Sequence, residues 1–98
     1  MNEVHETETF AKLYDASEKL EKNWIDKVRD QLVVNLTVGK PLRFDWFREK
    51  KLGNKRLFYL INTKTEKAVL VAFGTKKEQQ KIIDHIISNK QRYLKLLE

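Results

Sequence analysis

The spacing of apolar residues predicts two helices in the first third of the chain. Phe10, Leu13, Tyr14 and Leu20 follow one another near helical steps, and Thr7 or Thr9 can cap this helix, which should span about residues 8–20. Asn23 can cap a second helix, whose apolar residues repeat at three- and four-residue steps: Trp24, Ile25, Val28, Leu32 and Val33. We expect a helical hairpin jointed near residues 21–23, after a short edge strand at residues 2–6.

The middle of the chain changes to a pattern typical of strands. The segment "NLTVGKPL" carries the only proline and the first glycine, and it ends the helical half. After it, "RFDWFREKK", "KRLFYLI" and "AVLVAF" are rich in β-branched and aromatic residues and are separated by short turns. Gly53 and Asn54 can take the positive φ angles of a tight hairpin. The pattern therefore predicts a three-stranded antiparallel meander.

The end of the chain is predicted to form an amphipathic helix that begins near Lys77 and packs on the sheet. Its apolar stripe consists of Ile82, Ile83, Ile86, Ile87, Leu94 and Leu97. The order of elements indicates an α+β fold with its helices on one face of the sheet. At 98 residues we expect a single domain spanning 1–98.

Composition narrows the classes of function. The absence of cysteine excludes disulfides, thiolate zinc sites and cysteine nucleophiles. No apolar run is long enough to span a membrane and no secretion signal is visible, so we expect a cytoplasmic protein. Charge is uneven, because residues 1–38 have a net charge of −3 and residues 39–98 a net charge of +9. A polyanion would therefore dock on the second part.

The predicted hairpin "FREKKLGNKRLFYL" concentrates the candidate chemistry. It holds five cations: Arg48, Lys50, Lys51, Lys55 and Arg56. The planar guanidinium of an arginine can grip two phosphate oxygens, and a lysine can act as a base where neighbouring cations lower its pKa. The same cations also fit an ordinary solvated surface. His5 and His85 have no carboxylate at ligand spacing, so we expect neither a metal nor a cofactor.

Three stretches resemble the RelE/ParE superfamily of toxins from type II toxin–antitoxin modules. They are "GKPLR", "FREKKLGNKRLFYLI" and "AVLVAFGTKKEQQ", which together cover residues 39–80, and the helical hairpin extends a weaker likeness back to Phe10. The resemblance implies a RelE-like domain. It also implies a metal-independent endoribonuclease that cuts mRNA on the ribosome and is neutralised by a cognate antitoxin.

The resemblance also assigns candidate residues. The catalytic candidates are Arg56 in "KRLFY", Lys76 in "GTKK", and Lys50 and Lys51 by looser correspondence. The RNA-binding candidates are Arg43, Arg48, Lys55, Lys77 and Trp46, although core packing is the alternative role for the aromatic residues near Trp46. An antitoxin is expected to displace the C-terminal helix or to block Arg56.

One departure from the family pattern keeps other functions open. Many members have a tyrosine soon after the basic segment, where this chain has Ile82, and Tyr93 lies about three helical turns further on. A second hypothesis is therefore a weak or inactive member that binds nucleic acid or a protein. A third is a ParE-like inhibitor of DNA gyrase, which would need no ribonuclease residues.

Overall fold

A computed structural model describes residues 1–98, and its centre is a mixed five-stranded sheet. The strands are β1 (Glu3–Glu6), β2 (Lys40–Leu42), β3 (Phe44–Leu52), β4 (Lys55–Asn62) and β5 (Lys67–Thr75), in the spatial order β1-β5-β4-β3-β2. The pairs β2–β3, β3–β4 and β4–β5 are antiparallel, whereas β1 lies parallel to β5. The predicted meander and the short edge strand are both confirmed.

The strand β2 is an addition to the prediction, which treated its segment only as the end of the helical half. It is three residues long and forms the outer edge of the sheet beside β3. Pro41 has no N–H to donate, and an edge strand tolerates proline because only one of its sides is paired. A segment this short gives too little alternation to be distinguished from a loop.

The hairpin between β3 and β4 turns through two residues. Leu52 pairs with Lys55, so Gly53 and Asn54 form the tip. Gly53 has φ +57°, but Asn54 is not among the residues with positive φ. The expectation of positive φ at Asn54 was therefore wrong. A positive φ at the first turn position alone matches the type II′ turn, in which only that residue must be left-handed.

The joint between the two N-terminal helices lies nearer the N-terminus than predicted. They are α1 (Glu8–Asp15) and α2 (Lys19–Val34), and Thr7 caps α1 by accepting the Phe10 N–H at 3.1 Å. The helix α2 begins at Lys19 because Glu18 and Glu21 form a capping box around its start. The joint therefore lies at residues 16–18, and Leu20, predicted for the first apolar stripe, is exposed.

The C-terminal helix is divided into two. It opens with a 3₁₀ turn at Lys76–Glu78, continues as α3 (Gln79–Ser88), breaks at Asn89 and ends with α4 (Lys90–Lys95). Ile83, Ile86 and Leu97 are buried, so this segment packs on the sheet as predicted. None of the helices has the length and apolar character needed to cross a lipid bilayer.

Helices cover both faces of the sheet, which corrects the expectation of one covered face. On the inner face, Leu57, Tyr59 and Ile61 of β4 join a core cluster with α1 and α2. On the outer face, Phe58 and Leu60 join a second cluster with α3 and the C-terminal residues. The apolar run "LFYLI" indicates the reason, because a strand that is apolar on both faces must be covered on both.

Candidate active site

The register of the sheet places Arg56 between two other strands on the outer face. Arg56 begins β4 and pairs with Lys51 of β3 on one side and with Gly74 of β5 on the other. It alternates with Phe58, so its side chain points to the face that α3 covers. Although it stands near a hairpin tip, only 6% of Arg56 is exposed.

A buried carboxylate lies beside Arg56. Glu49 of β3 is 3% exposed, and its Oε2 atom lies 3.9 Å from Nε of Arg56. The same oxygen accepts a hydrogen bond of 2.7 Å from Nε2 of Gln79, the first residue of α3. The sequence analysis missed Glu49, because a single acid among lysines has the pattern of a solvated surface. Only the β3–β4 register shows that it shares a face with Arg56.

Two nitrogen atoms of Arg56 have no hydrogen-bond partner. Nε and Nη1 are both buried, and neither donates to any acceptor in the protein. Buried polar groups are almost always paired, because an unpaired donor loses its bonds to water without replacement. Arg56 therefore has two donors available to acceptor oxygens, with the Glu49 carboxylate near but beyond hydrogen-bond distance.

The first turn of α3 packs over this end of the sheet. A Cβ atom added to Gly74 would lie 2.9 Å from Cδ1 of Ile82 and 3.3 Å from Oε1 of Glu78, so glycine permits the close approach. The carboxylate of Glu78 accepts the backbone N–H of Thr75 at 2.9 Å. That hydrogen bond is the main reason that the pKa of Glu78 is lowered. Ile82 thus fills, as an apolar contact, the position where a tyrosine was expected.

Lys76 and Lys77 belong to the 3₁₀ turn that precedes α3, and they lie at the same end of the sheet as Arg56. Lys76 and Lys77 are exposed, and the backbone N–H of Lys76 donates to the carbonyl of Asn54 at 2.9 Å. This bond ties the strand-to-helix junction to the tip of the β3–β4 hairpin. Lys51 is also exposed and pairs directly with Arg56. The structure therefore brings Lys51 and the start of the α3 segment to Arg56.

Lys50 and Lys55 lie on the inner face instead. The Nζ atom of Lys50 donates to Oε1 of Gln31 at 3.1 Å. Lys55 forms an ion pair with Glu21, and its Nζ lies 5.4 Å from the ring centroid of Phe73. The hydrogen bond from Lys55 lowers the pKa of Glu21. The sheet thus separates Lys50, predicted as catalytic, from Arg56.

The side chain of Arg48 also lies on the inner face, and its guanidinium donates hydrogen bonds to the backbone. It donates to four carbonyl oxygens, those of Thr37, Val38, Gly39 and Asp45, at 3.0–3.3 Å. The hydroxyl of Tyr59 donates to the same Val38 carbonyl at 2.5 Å. Burial raises the pKa of Tyr59 to about 12. Arg48 therefore fixes the loop that leads into β2, and it has few donors left for RNA.

The remaining RNA-binding candidates lie at the far end of β3. Arg43 is exposed and has φ +60° in the turn between β2 and β3. Trp46 stacks on Phe44 with ring centroids 4.9 Å apart, and its ring is 6.0 Å from that of Phe47. Trp46 is thus packed with two other rings, and Phe47 is fully buried. The alternative of core packing is confirmed for Phe47.

Both histidines line a separate groove of about 780 Å³ between β1, β5 and the α3–α4 segment. None of the predicted site residues lines this groove. Tyr93 also lies there, where its ring packs edge-on against His85 at 6.1 Å. Tyr93 and Ile82 both line this groove, and Tyr93 has no contact with Arg56 among the hydrogen bonds and ring contacts of the protein. No three of the chain's His, Asp and Glu side chains come together as a metal-binding group.

Comparisons with known proteins identify the fold. No family model matches the sequence, and no curated protein matches it. Among solved structures, the chain is similar to a mutant of the E. coli toxin RelE in complex with an antitoxin RelBc peptide, with a TM-score of 0.68. The two chains are 11% identical, and the alignment covers 83% of this chain and 93% of RelE. The predicted α+β, RelE-like fold is confirmed.

Proposed function

We propose that this RelE-like chain is the toxin of a toxin–antitoxin pair and cuts mRNA on the ribosome as an endoribonuclease. The observation that supports the proposal most is Arg56, a buried cation with two unpartnered N–H groups beside a buried carboxylate. Buried structural arginines normally have their donors paired, and Arg48 donates four hydrogen bonds to carbonyl oxygens.

Arg56 would bind the phosphate that is cut. Cleavage of RNA passes through a pentavalent phosphate whose oxygens gain negative charge, and fixed cations stabilise that charge most effectively in a water-poor site. A guanidinium stays charged at any working pH and can offer two parallel N–H groups to two phosphate oxygens. Lys51, on the neighbouring strand, adds a second positive charge from the solvent side.

Glu49 would accept the proton of the attacking 2′-hydroxyl. As that oxygen bonds to phosphorus, the bond to the 5′-oxygen breaks, leaving a 2′,3′-cyclic phosphate and a free 5′-hydroxyl. Carboxylates serve as general bases when they lie within hydrogen-bond reach of the reacting group. Lys76 or Lys51 would supply the proton to the leaving 5′-oxygen. Lys50 has no part in this scheme, because the sheet separates it from Arg56.

A cognate antitoxin would neutralise the chain. The structurally similar RelE was solved with an antitoxin peptide bound, and the outer-face helices here are the elements that such a peptide could displace. We place the partners of the active toxin, mRNA and the ribosome, in the cytoplasm.

One observation favours a second candidate function. Ile82 supplies no hydroxyl group near Arg56, and Arg56 is almost fully covered. Both features fit a member that has lost ribonuclease activity and binds nucleic acid or protein, or one that inhibits gyrase in the manner of ParE.

The test is to express the wild type and the variants Arg56→Ala, Glu49→Gln and Lys76→Ala, and to map mRNA ends on translating ribosomes. Lys64→Ala is the matched control, since Lys64 is an exposed lysine in the β4–β5 turn. We expect codon-phased cuts from the wild type and the control that disappear in Arg56→Ala. Growth arrest with intact mRNA would contradict the nuclease, and a gyrase assay would then test the second candidate.

A further inference from the structure

The first turn of α3 contacts a residue on each of the two strands that flank Arg56. On β5 it approaches Gly74, the direct partner of Arg56 in the register. On β3 Gln79 donates to Glu49 at 2.7 Å. The turn is therefore attached on both sides of Arg56, which is only 6% exposed although it stands near a hairpin tip.

We propose that this turn is a latch, closed by the Gln79–Glu49 hydrogen bond, that must open before a phosphate group can reach Arg56. The inference rests on the proposed role of Arg56 as the phosphate ligand, and it adds a regulatory element to that site. Opening would break the side-chain hydrogen bond from Gln79 to Glu49 and the contact between Ile82 and Gly74.

The closed state leaves buried N–H groups of Arg56 unpaired, and the free-energy cost of those groups favours opening. Nε and Nη1 of Arg56 are buried without acceptors while the latch is closed, and such groups favour any arrangement that gives them partners. Water or a phosphate group would supply those partners once the turn moves. Closed and open states therefore lie near in free energy, and a ligand that binds only the open state would shift the population toward it.

Gln79 suits this role because its amide holds Glu49 without adding charge. A cation at this position would bind the carboxylate more strongly and lock the site, whereas an anion would repel it. The neighbouring Gln80 offers a matched comparison, since its amide donates to Asp84 within α3 and has no contact with Glu49.

The experiment measures inorganic phosphate binding by the full chain, followed through the Nε–H signal of Arg56 in nitrogen-edited NMR. The variants are Gln79→Ala, which removes the hydrogen bond, and Gln79→Glu, which places a second carboxylate beside Glu49. Gln80→Ala is the control. Amide exchange over residues 75–80 is recorded in parallel, because it reports opening of the turn directly.

We expect phosphate affinity to rise about fivefold in Gln79→Ala, the effect of one lost hydrogen bond on a closed state. Gln79→Glu adds a negative charge that repels phosphate, so this variant is followed by amide exchange alone. Amide exchange over residues 75–80 should become faster in both variants, and Gln80→Ala should resemble the wild type. Unchanged or weaker phosphate binding in Gln79→Ala would overturn the latch. These measurements need no RNA cleavage, so a latch that opens in a protein that cuts no mRNA would contradict the proposed nuclease alone.

Discussion

The Nε atom of Arg56 lies 3.9 Å from Oε2 of Glu49, and both side chains are almost completely buried. This separation is too long for a strong hydrogen bond, so the pair is held by charge and by the neighbouring amide of Gln79. A buried charged pair of this geometry contributes little net stability, because its desolvation offsets its attraction. Removing one partner alone should therefore cost more stability than removing both.

Replacing either partner of this pair alone should destabilise the fold. Arg56→Met leaves the buried carboxylate of Glu49 without a counter-charge, and Glu49→Leu leaves the buried guanidinium of Arg56 without one, so each should lower the free energy of unfolding by about 3 kcal/mol. The double variant removes both charges and should stay within about 1 kcal/mol of the wild type. Urea unfolding measures all three variants. A double variant as unstable as the single ones would contradict the small net contribution of the pair.

Replacing Arg48 should destabilise the fold, because its guanidinium bonds the backbone and does not serve mainly to bind nucleic acid. Arg48→Met leaves four backbone carbonyl oxygens without their donor, which should lower the free energy of unfolding by about 2–4 kcal/mol. Arg43→Met, at an exposed arginine, is the control and should leave stability unchanged. Thermal and urea unfolding provide the measurement, and comparable stability of the two variants would refute the anchoring role.

Arg43 sits in a backbone conformation that favours glycine. Its φ of +60° is left-handed, as is the φ of +57° at Glu66 in the β4–β5 turn. Replacing either residue with glycine should raise the free energy of unfolding by up to about 1 kcal/mol, because the steric cost of the left-handed region exceeds the entropy that glycine adds. If Arg43 binds RNA, Arg43→Gly will also weaken RNA binding, measured by fluorescence anisotropy, whereas Glu66→Gly will not. Equal RNA affinity in both variants would remove Arg43 from the proposed interface.

Alkaline pH should destabilise the fold through Tyr59. Burial raises the pKa of Tyr59 from 10.0 to about 12. The stability linked to the neutral phenol is therefore fully present below pH 10 and is lost as the pH rises through 12. Tyr59→Phe should cost about 1–2 kcal/mol at neutral pH, from the hydrogen bond to Val38, and should flatten this alkaline decline. Unfolding curves for both proteins across the alkaline range measure the difference, and parallel declines would contradict it.

Acid pH should weaken the tie between α2 and the hairpin. The hydrogen bond from Lys55 holds the pKa of Glu21 below its ordinary value of 4.5. The stability linked to the charged carboxylate is therefore present above pH 4.5 and is lost as the pH falls through the lowered pKa. Lys55→Met should reduce this acid dependence, and Lys50→Met, at a lysine bonded to a neutral amide, should not. Unfolding free energies from neutral to acid pH compare the two variants.

The meander and the terminal helices could be predicted from the sequence, because the residues that specify each element lie close together in the chain. The run "KRLFYLI" and the tip at Gly53 specify a strand and a hairpin within a few residues of each other. The start of α2 was missed because Glu18 is not among the preferred N-cap residues, so its capping box with Glu21 has no clear sequence signature, whereas Asn23 has one.

The site was less predictable, because it depends on the exact register of the β3–β4 hairpin and on a contact from α3. Arg56 was identified by resemblance, yet Glu49 shares its face only in the observed register, and Gln79 reaches Glu49 across 30 residues of sequence. A shift of one residue in β3 would exchange Glu49 and Lys50 between the faces. The pattern of charges alone therefore could not tell which lysines accompany Arg56.

The two core clusters lie back to back and share the sheet but no side chain. Each layer of helices thus has its own complement of buried residues, and losing one layer leaves the other intact. The outer layer can then unfold as a separate cooperative unit while β4 and β5 stay packed against α1 and α2. A partner that replaces the outer helices would compete only with the outer core cluster, and the chain that it binds would keep its inner core cluster.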